Sequence, residues 1–379
     1  MRLLRVQVPE FRALKDVDIS FDPNFTPQVF PLGSLNGGGK STFLQLVFVL
    51  LSLEPDITGK NSDLKESYFK KLLLQLALDA EQKNELRILA TFTLLSNQGQ
   101  KIVLNYYYGG LSDSQNVLQN SAAVTYFCCK LGSRNSGFLA TAAIDGEHLD
   151  GWTLTSTCMG ILSNVCKQVF LISPSNQSYL FAPQEERRLL YTSDNEKSYD
   201  QVLKSLINDY HGFFTYDFID VLTQVCRKAR DKDFDERLKT GIYGTHYEQL
   251  ENGINSLFID GKKIVPLTIE QNRHTKDAIQ SMSFKLPSGE EIYPEDLSHG
   301  ELKRLAIFVL FKDLDIQNSI VLMDEIENGF HPDWQYQIVH DLVEWGKTNQ
   351  YILATHSYEL CNALTPAHVK ELDPKLLRN

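Results

Sequence analysis

The spacing of hydrophobic positions changes character several times along the chain. Residues 3–8 and 17–21 read as two short strands around the turn "PEFRALKD", and residues 28–32 as a third that runs into a glycine-rich loop. Beyond the loop, Phe43, Leu46, Val47, Leu50 and Leu51 recur at helical spacing. Phe48 and Val49 are apolar as well, so this helix is expected to be buried on most sides. From about residue 86 the period becomes that of strands. "LRILATFTLL" and "KIVLNYYYG" flank the turn "SNQGQ" and predict a hairpin, and "AAVTYFCCKL" and "GFLATAAID" predict further antiparallel strands. Residues 185–280 are richer in charge and read as mostly helical, with 199–214 and 218–238 as the clearest helices. From Ser281 onward the order is a hairpin-like piece, a helix, a strand, a helix and a strand. There is no internal repeat, no sustained heptad run and no low-complexity tract.

Composition narrows the class. A chain of 379 residues is long enough for a large core, in one domain or two. Its 42% apolar and 22% charged content is that of a globular protein, and a net charge of −11 opposes indiscriminate binding to nucleic acid. The longest apolar stretch, Phe43 to Leu53, is too short to span a bilayer, and the N-terminus has no signal-peptide core. The six cysteines form no C-x-x-C pair, which points to reduced thiols in a cytoplasmic protein rather than to zinc or a disulfide framework.

Four segments carry chemistry. "SLNGGGKST" follows a predicted strand and opens an apolar helix, the context of a phosphate loop. Gly37, Gly38 and Gly39 leave backbone N–H groups free to converge on an anion, and the helix N-terminus adds partial positive charge. Lys40 would reach the β- and γ-phosphates, and Ser41 would offer its hydroxyl to Mg²⁺. Ser34 stands where this motif usually has its first glycine. "NSIVLMDEIENGFHP" ends a buried-strand pattern on Asp324 and Glu325. A magnesium–nucleotide complex explains them: Asp324 would hold the ion's shell, and Glu325 would orient or deprotonate the attacking water. "YILATHSYEL" is another strand pattern, followed by His356, which would donate a hydrogen bond to the γ-phosphate or the water. "LSHGELKRLAIFVLF" places Ser298 and Gly300 before a second apolar helix, a further anion-binding N-terminus suited to a nucleotide on another copy of the chain.

In this order the segments resemble the Walker A, signature, Walker B and switch-histidine motifs of ABC-type ATPases. The opening "VQVPEFRALKDVDISF" looks like the start of RecF-like and SMC-like ATPases, and "DEIENGFHP" is similar to the soluble branch that includes OLD-family ATPases and the ATPase subunits of Septu and retron antiviral systems. His299-Gly300-Glu301 replaces the Gly-Gly-Gln of transporters. The resemblance implies an α/β fold with a mixed or parallel phosphate-loop sheet. A single ATPase domain over 1–379 would carry an antiparallel β subdomain near 86–150 and a helical insertion near 185–280. It implies ATP and Mg²⁺ held by Asn36, Gly37, Gly38, Gly39, Lys40, Ser41 and Thr42, with Arg12 approaching the nucleotide. Ser298, Gly300 and Glu301 of one copy would face the nucleotide of the other. It also implies a Mg²⁺-sensing glutamine, for which Gln177 is chosen over Gln184.

Other features of such proteins are missing. The chain lacks the coiled coils of SMC-like proteins, and only 23 residues follow His356, too few for the nuclease of OLD proteins. Walker A and signature also lie further apart than in transporters. The expectation is an ATPase module that works as a head-to-tail homodimer or higher assembly, without a membrane, beside a separate effector such as a nuclease or toxin. An antiviral or DNA-maintenance role and contact with DNA follow from the resemblance alone. An ATP-gated scaffold with little turnover, a transporter subunit and a repair ATPase acting on DNA ends are the alternatives.

Overall fold

The computed structural model describes residues 1–33, 37–55, 86–110, 123–130, 136–145, 151–174, 211–216, 219–271 and 278–372. The architecture is α/β. Strands β1 (Arg2–Phe11) and β2 (Leu14–Ser20) form a tight hairpin, with Phe11 opposite Leu14. This hairpin does not stand apart from the antiparallel strands that follow. β1 pairs with β4 (Arg87–Leu95), and the sheet continues through β5 (Lys101–Gly110), β6 (Val124–Lys130) and β7 (Ser136–Ile144) in the order β2-β1-β4-β5-β7-β6. The register of β1 shifts between Leu3 and Arg5. Such a bulge changes which face a residue meets, so Leu3 is buried as well as Val6 and Val8.

The second sheet is parallel. Its order is β15 (Lys370–Glu371), β3 (Val29–Gly33), β14 (Gln350–Ala354), β13 (Ile320–Asp324), β8 (Val169–Ser173) and β9 (Phe213–Thr215). β3, β8, β13 and β14 are short and almost wholly buried. This is the expected look of a parallel sheet covered on both faces. One face receives helix α1 (Lys40–Leu51), which packs between this sheet and the antiparallel one. Its buried residues go all the way round: Phe43, Leu44, Leu46, Val47, Phe48, Val49, Leu50 and Leu51. The Tyr106 hydroxyl of β5 donates to the Leu50 carbonyl over 2.9 Å, tying sheet to helix. The Gln350 side chain joins the sheets directly. It accepts from the Leu3 N–H at 2.7 Å and donates to the Leu3 carbonyl at 2.9 Å, beside the bulge. Replacing Phe48, fully buried near Phe213, with alanine should cost about 3–5 kcal/mol. A lower denaturation midpoint with an unchanged slope would register it.

Helix α2 (Gly151–Val165) joins the same core as α1. The opposite face of the parallel sheet is covered by α3 (Ile219–Thr240), α4 (His246–Ser256), α5 (His299–Leu314) and α6 (Pro332–Trp345). The segment read as mostly helical is only partly so. Residues 219–240 and 246–256 are helices, but Phe213–Thr215, read as the end of a helix, is a parallel edge strand on β8. β10 (Lys263–Gln271) and β11 (Ala278–Lys285) form a hairpin, extended by β12 (Glu291–Ile292). Pro266 is incompatible with a helix interior, and Val265, Thr268 and Ile269 are β-branched. The ladder's register slips between Val265 and Thr268, around the proline that lacks a donor. Residues 199–210 of the other predicted helix lie outside the described residues. Among the described residues no helix is long and apolar enough to cross a membrane.

Candidate functional site

β3, β14 and β13 are parallel neighbours, so the loops that leave their carboxyl ends share one edge of the sheet. Open α/β sheets bind ligands at that edge. The first loop carries the three glycines. Gly37 and Gly39 have φ of 80° and 87°, a region that side chains avoid. A Cβ on Gly39 would stand 2.8 Å from the Leu14 side chain, so the loop nests against the N-terminal hairpin turn. That turn also holds Arg12, exposed, with φ of 52° and its guanidinium 5.3 Å from the Phe11 ring centre. Lys40, Ser41 and Thr42 form the first turn of α1, which has no acidic residue.

Lys40 is buried, and its charge is met by Asp324, Glu327 and Glu325. Burial lowers its pKa while the three carboxylates push the other way. Asp324, at the end of β13, is buried too. Burial pushes its carboxyl up to about 7, and Glu325 and Glu327 add to the rise. A hydrogen bond with the Ser41 side chain and the charge of Lys40 oppose it. Glu325 follows in a left-handed conformation, φ 49°, a strain of about 1–3 kcal/mol for a residue with a side chain. Its N–H donates to the Ala354 carbonyl at the end of β14, and its carboxylate accepts from Asn328 Nδ2 at 2.6 Å.

His356, after β14, has an exposed side chain. Its backbone N–H donates to Glu327 Oε1 at 2.6 Å, so the histidine loop is fastened to the acidic loop. Glu327 was not singled out from sequence. It is 7% exposed and its Oε2 has no hydrogen-bond partner among the described residues. The third acid in "DEIEN" was the available signal. Lys303 and Tyr216 were missed as well. The Lys303 ammonium donates to the Glu325 and Asn328 carbonyls at 2.9 and 3.1 Å, and the Tyr216 hydroxyl donates to the Asp324 carbonyl at 2.9 Å. On α5, Gly300, Lys303, Ile307 and Leu310 are all buried at helical spacing, so a charge on an otherwise apolar stripe was the clue.

The signature-like residues gather at the start of α5. Ser298 is the N-cap: its Oγ accepts from the Glu301 N–H, while Glu301 accepts from the Ser298 N–H at 3.0 Å and from its hydroxyl at 2.8 Å. Lys262 donates to the other Glu301 oxygen at 2.6 Å. Burial raises the Glu301 carboxyl, but the bonds from Lys262 and Ser298 prevail and hold it below the usual carboxylate range. Gly300 has no room for a side chain, since a Cβ would sit 2.7 Å from the Gly329 carbonyl. Lys40, Ser41, Asp324, Glu325 and, through Glu327, His356 are thus gathered in one place. Ser298, Gly300 and Glu301 instead engage one another, Lys262 and Gly329. Asn36, Gln177 and Gln184 lie outside the described residues.

The group most in need of a ligand is the acidic one. Among the described residues no three carboxylates stand close enough to form a metal site by themselves, so a cation here would rest on the hydrogen-bonded pair Ser41 and Asp324, beside the unpartnered Glu327 Oε2. Hydroxyl and carboxylate oxygens are the donors Mg²⁺ takes.

A family model described as "AAA domain, putative AbiEii toxin, Type IV TA system" matches residues 165–362, more than half of the chain. The match runs from the end of α2 past His356 and leaves the glycine loop outside. No curated protein matches the sequence. Similar solved structures include an SMC head bound to the C-winged helix domain of ScpA, at 13% identity over 96% of this chain and 92% of that one, with a TM-score of 0.45. The SMC head domain from Thermotoga maritima is 11% identical over 96% of this chain and 92% of its own, with a TM-score of 0.41. An SMC head with an extended coiled coil, bound to the C-terminal domain of ScpA derived from Pyrococcus furiosus, is 12% identical, covers 95% and 91%, and scores 0.39.

Proposed function

Since the chain belongs to this AAA-domain family, we propose that it binds and hydrolyses ATP at the edge formed by β3, β14 and β13. The observation that carries the reading is the meeting of Ser41 and Lys40 with Asp324: a glycine loop, its lysine and an acidic strand end converge on one point. The backbone N–H groups of residues 37–40 cradle phosphate oxygens, and Lys40 leaves its carboxylates to meet the terminal phosphates. Asn36 and Thr42 complete the loop's contacts, and Arg12 approaches from the hairpin turn. Ser41 and Asp324 are the residues that would hold Mg²⁺, with Gln177 proposed as a third. When bound, Mg²⁺ neutralises charge on the phosphates. Glu325 orients the attacking water and takes its proton, and His356 donates a hydrogen bond to the terminal phosphate.

Ser298, Gly300 and Glu301 are proposed to act on a nucleotide held by a second copy, because they engage one another, Lys262 and Gly329 and stand at a helix N-terminus. Ser298→Arg should leave ATP binding intact and lower turnover by roughly 10²–10³-fold, the usual loss when one preorganised donor is removed. The lost cap adds about 1 kcal/mol of destabilisation, which thermal melting would show separately. Normal turnover by a strictly monomeric Ser298→Arg protein would refute the paired site.

The finer role proposed is that of an ATPase subunit in an antiviral or DNA-maintenance complex, acting with a separate nuclease or toxin. The motif resemblance supports it, and the description of the matching family names a putative toxin and a type IV TA system. Affinity capture with ATP and with Lys40→Ala as control tests it. An effector retained only by the nucleotide-binding protein is the expected result.

A further inference from the structure

Glu325 has to be held in a backbone conformation that residues with side chains rarely adopt, φ 49°. Such a geometry persists only where its surroundings over-determine it. Here the main chain is gripped from two sides. Its N–H donates to Ala354 at 2.9 Å, and its carbonyl accepts from Lys303 Nζ at 2.9 Å and from the Asn328 N–H at 3.2 Å. Lys303 also donates to the Asn328 carbonyl at 3.1 Å, so one ammonium closes both ends of the short loop. Lys303 is 4% exposed. Burying an ammonium is costly unless its protons are used. Two go to these carbonyls, and the charge lies 3.9 Å from the centre of the Tyr216 ring, a cation–π contact. Tyr216 in turn binds the Asp324 carbonyl at 2.9 Å. The carboxylate itself is aimed by a different residue: Asn328 Nδ2 donates to Glu325 Oε2 at 2.6 Å.

We propose that Lys303 and Asn328 are the positioning pair of Glu325, Lys303 fixing the backbone of its loop and Asn328 aiming its carboxylate. The proposal rests on the reading of Glu325 as the base. It gives α5 a second task. Ser298 caps the helix and Lys303 stands just over one turn later, so the cap and the grip on the Glu325 loop lie on one helix. Neither residue touches the nucleotide in this scheme.

Lys303→Met keeps the length and packing of the side chain and removes its donors. ATP binding and KM should stay within about threefold, while kcat falls roughly 10- to 100-fold, the scale of a 1 Å misplacement. Asn328 is exposed, so Asn328→Ala folds regardless and should lower kcat in the same way. In a Glu325→Gln background neither change should lower the remaining rate further, because the group they position is gone. A merely structural role for Lys303 would instead lower stability and the Glu325→Gln rate by the same factor as in wild type. That additivity, or wild-type kcat in Asn328→Ala and in folded Lys303→Met, overturns the proposal. If Lys303→Met does not fold, Asn328→Ala decides alone. Wild-type turnover in Glu325→Gln itself is a separate failure, which removes the reading of the base and the positioning pair with it.

Discussion

Glu325→Gln should bind ATP and scarcely turn it over. Glutamine keeps the size of the side chain and can still pair with Asn328, but it takes up no proton. Asp324, one residue earlier and linked to Ser41, is untouched, so nucleotide still has its site. The chemical step should slow by roughly 10²–10⁴-fold, the usual worth of a positioned general base. Where ATP favours a closed pair of chains and hydrolysis reopens it, the variant should also accumulate as a dimer, since a ligand populates the state it binds better. Light scattering with and without ATP and Mg²⁺ reads the mass, and phosphate release reads the rate. Wild-type turnover would remove Glu325 from the role of base, whatever the mass shows.

Lys40→Ala should lose nucleotide rather than chemistry. Lys40 is the cation met by Asp324, Glu325 and Glu327, and it starts α1 beneath the glycine loop. Losing a charge-assisted bond of about 1.5–3 kcal/mol should weaken ATP binding roughly 10- to 150-fold. The fold should survive, because α1 is anchored by its apolar residues Phe43 to Leu51 on all sides. A circular dichroism melt close to that of wild type, with weakened binding of a fluorescent ATP analogue, is the expected pair of results.

Much of this site was legible because its chemistry lies in contiguous segments. A glycine loop before an apolar helix and two acids at the end of an apolar run are local patterns, and parallel pairing brings them together. What was not legible depends on packing between distant segments. Glu327 is one acid among several in sequence, and only burial and its bond to the His356 N–H set it apart. Lys303 had a sequence clue in its apolar stripe, but its bonds to the Glu325 and Asn328 carbonyls appear only in the fold. In the fold, residues 3–8 and 17–21 were read as two short strands around a turn, with no pairing assigned, and β1 pairs with β4 more than 80 residues later. Such long-range pairing leaves no local mark. The error at residues 263–271 had a local sign that charge content obscured: Pro266 among β-branched residues.

The central claim is that the glycine loop and the acidic strand end make one nucleotide site. Calorimetric titration of ATP with Mg²⁺ into the wild-type chain tests it most directly. The account predicts saturable binding of one ATP per chain, strongly weakened in Lys40→Ala and retained in Glu325→Gln. A flat wild-type titration, or equal binding by Lys40→Ala, would contradict it.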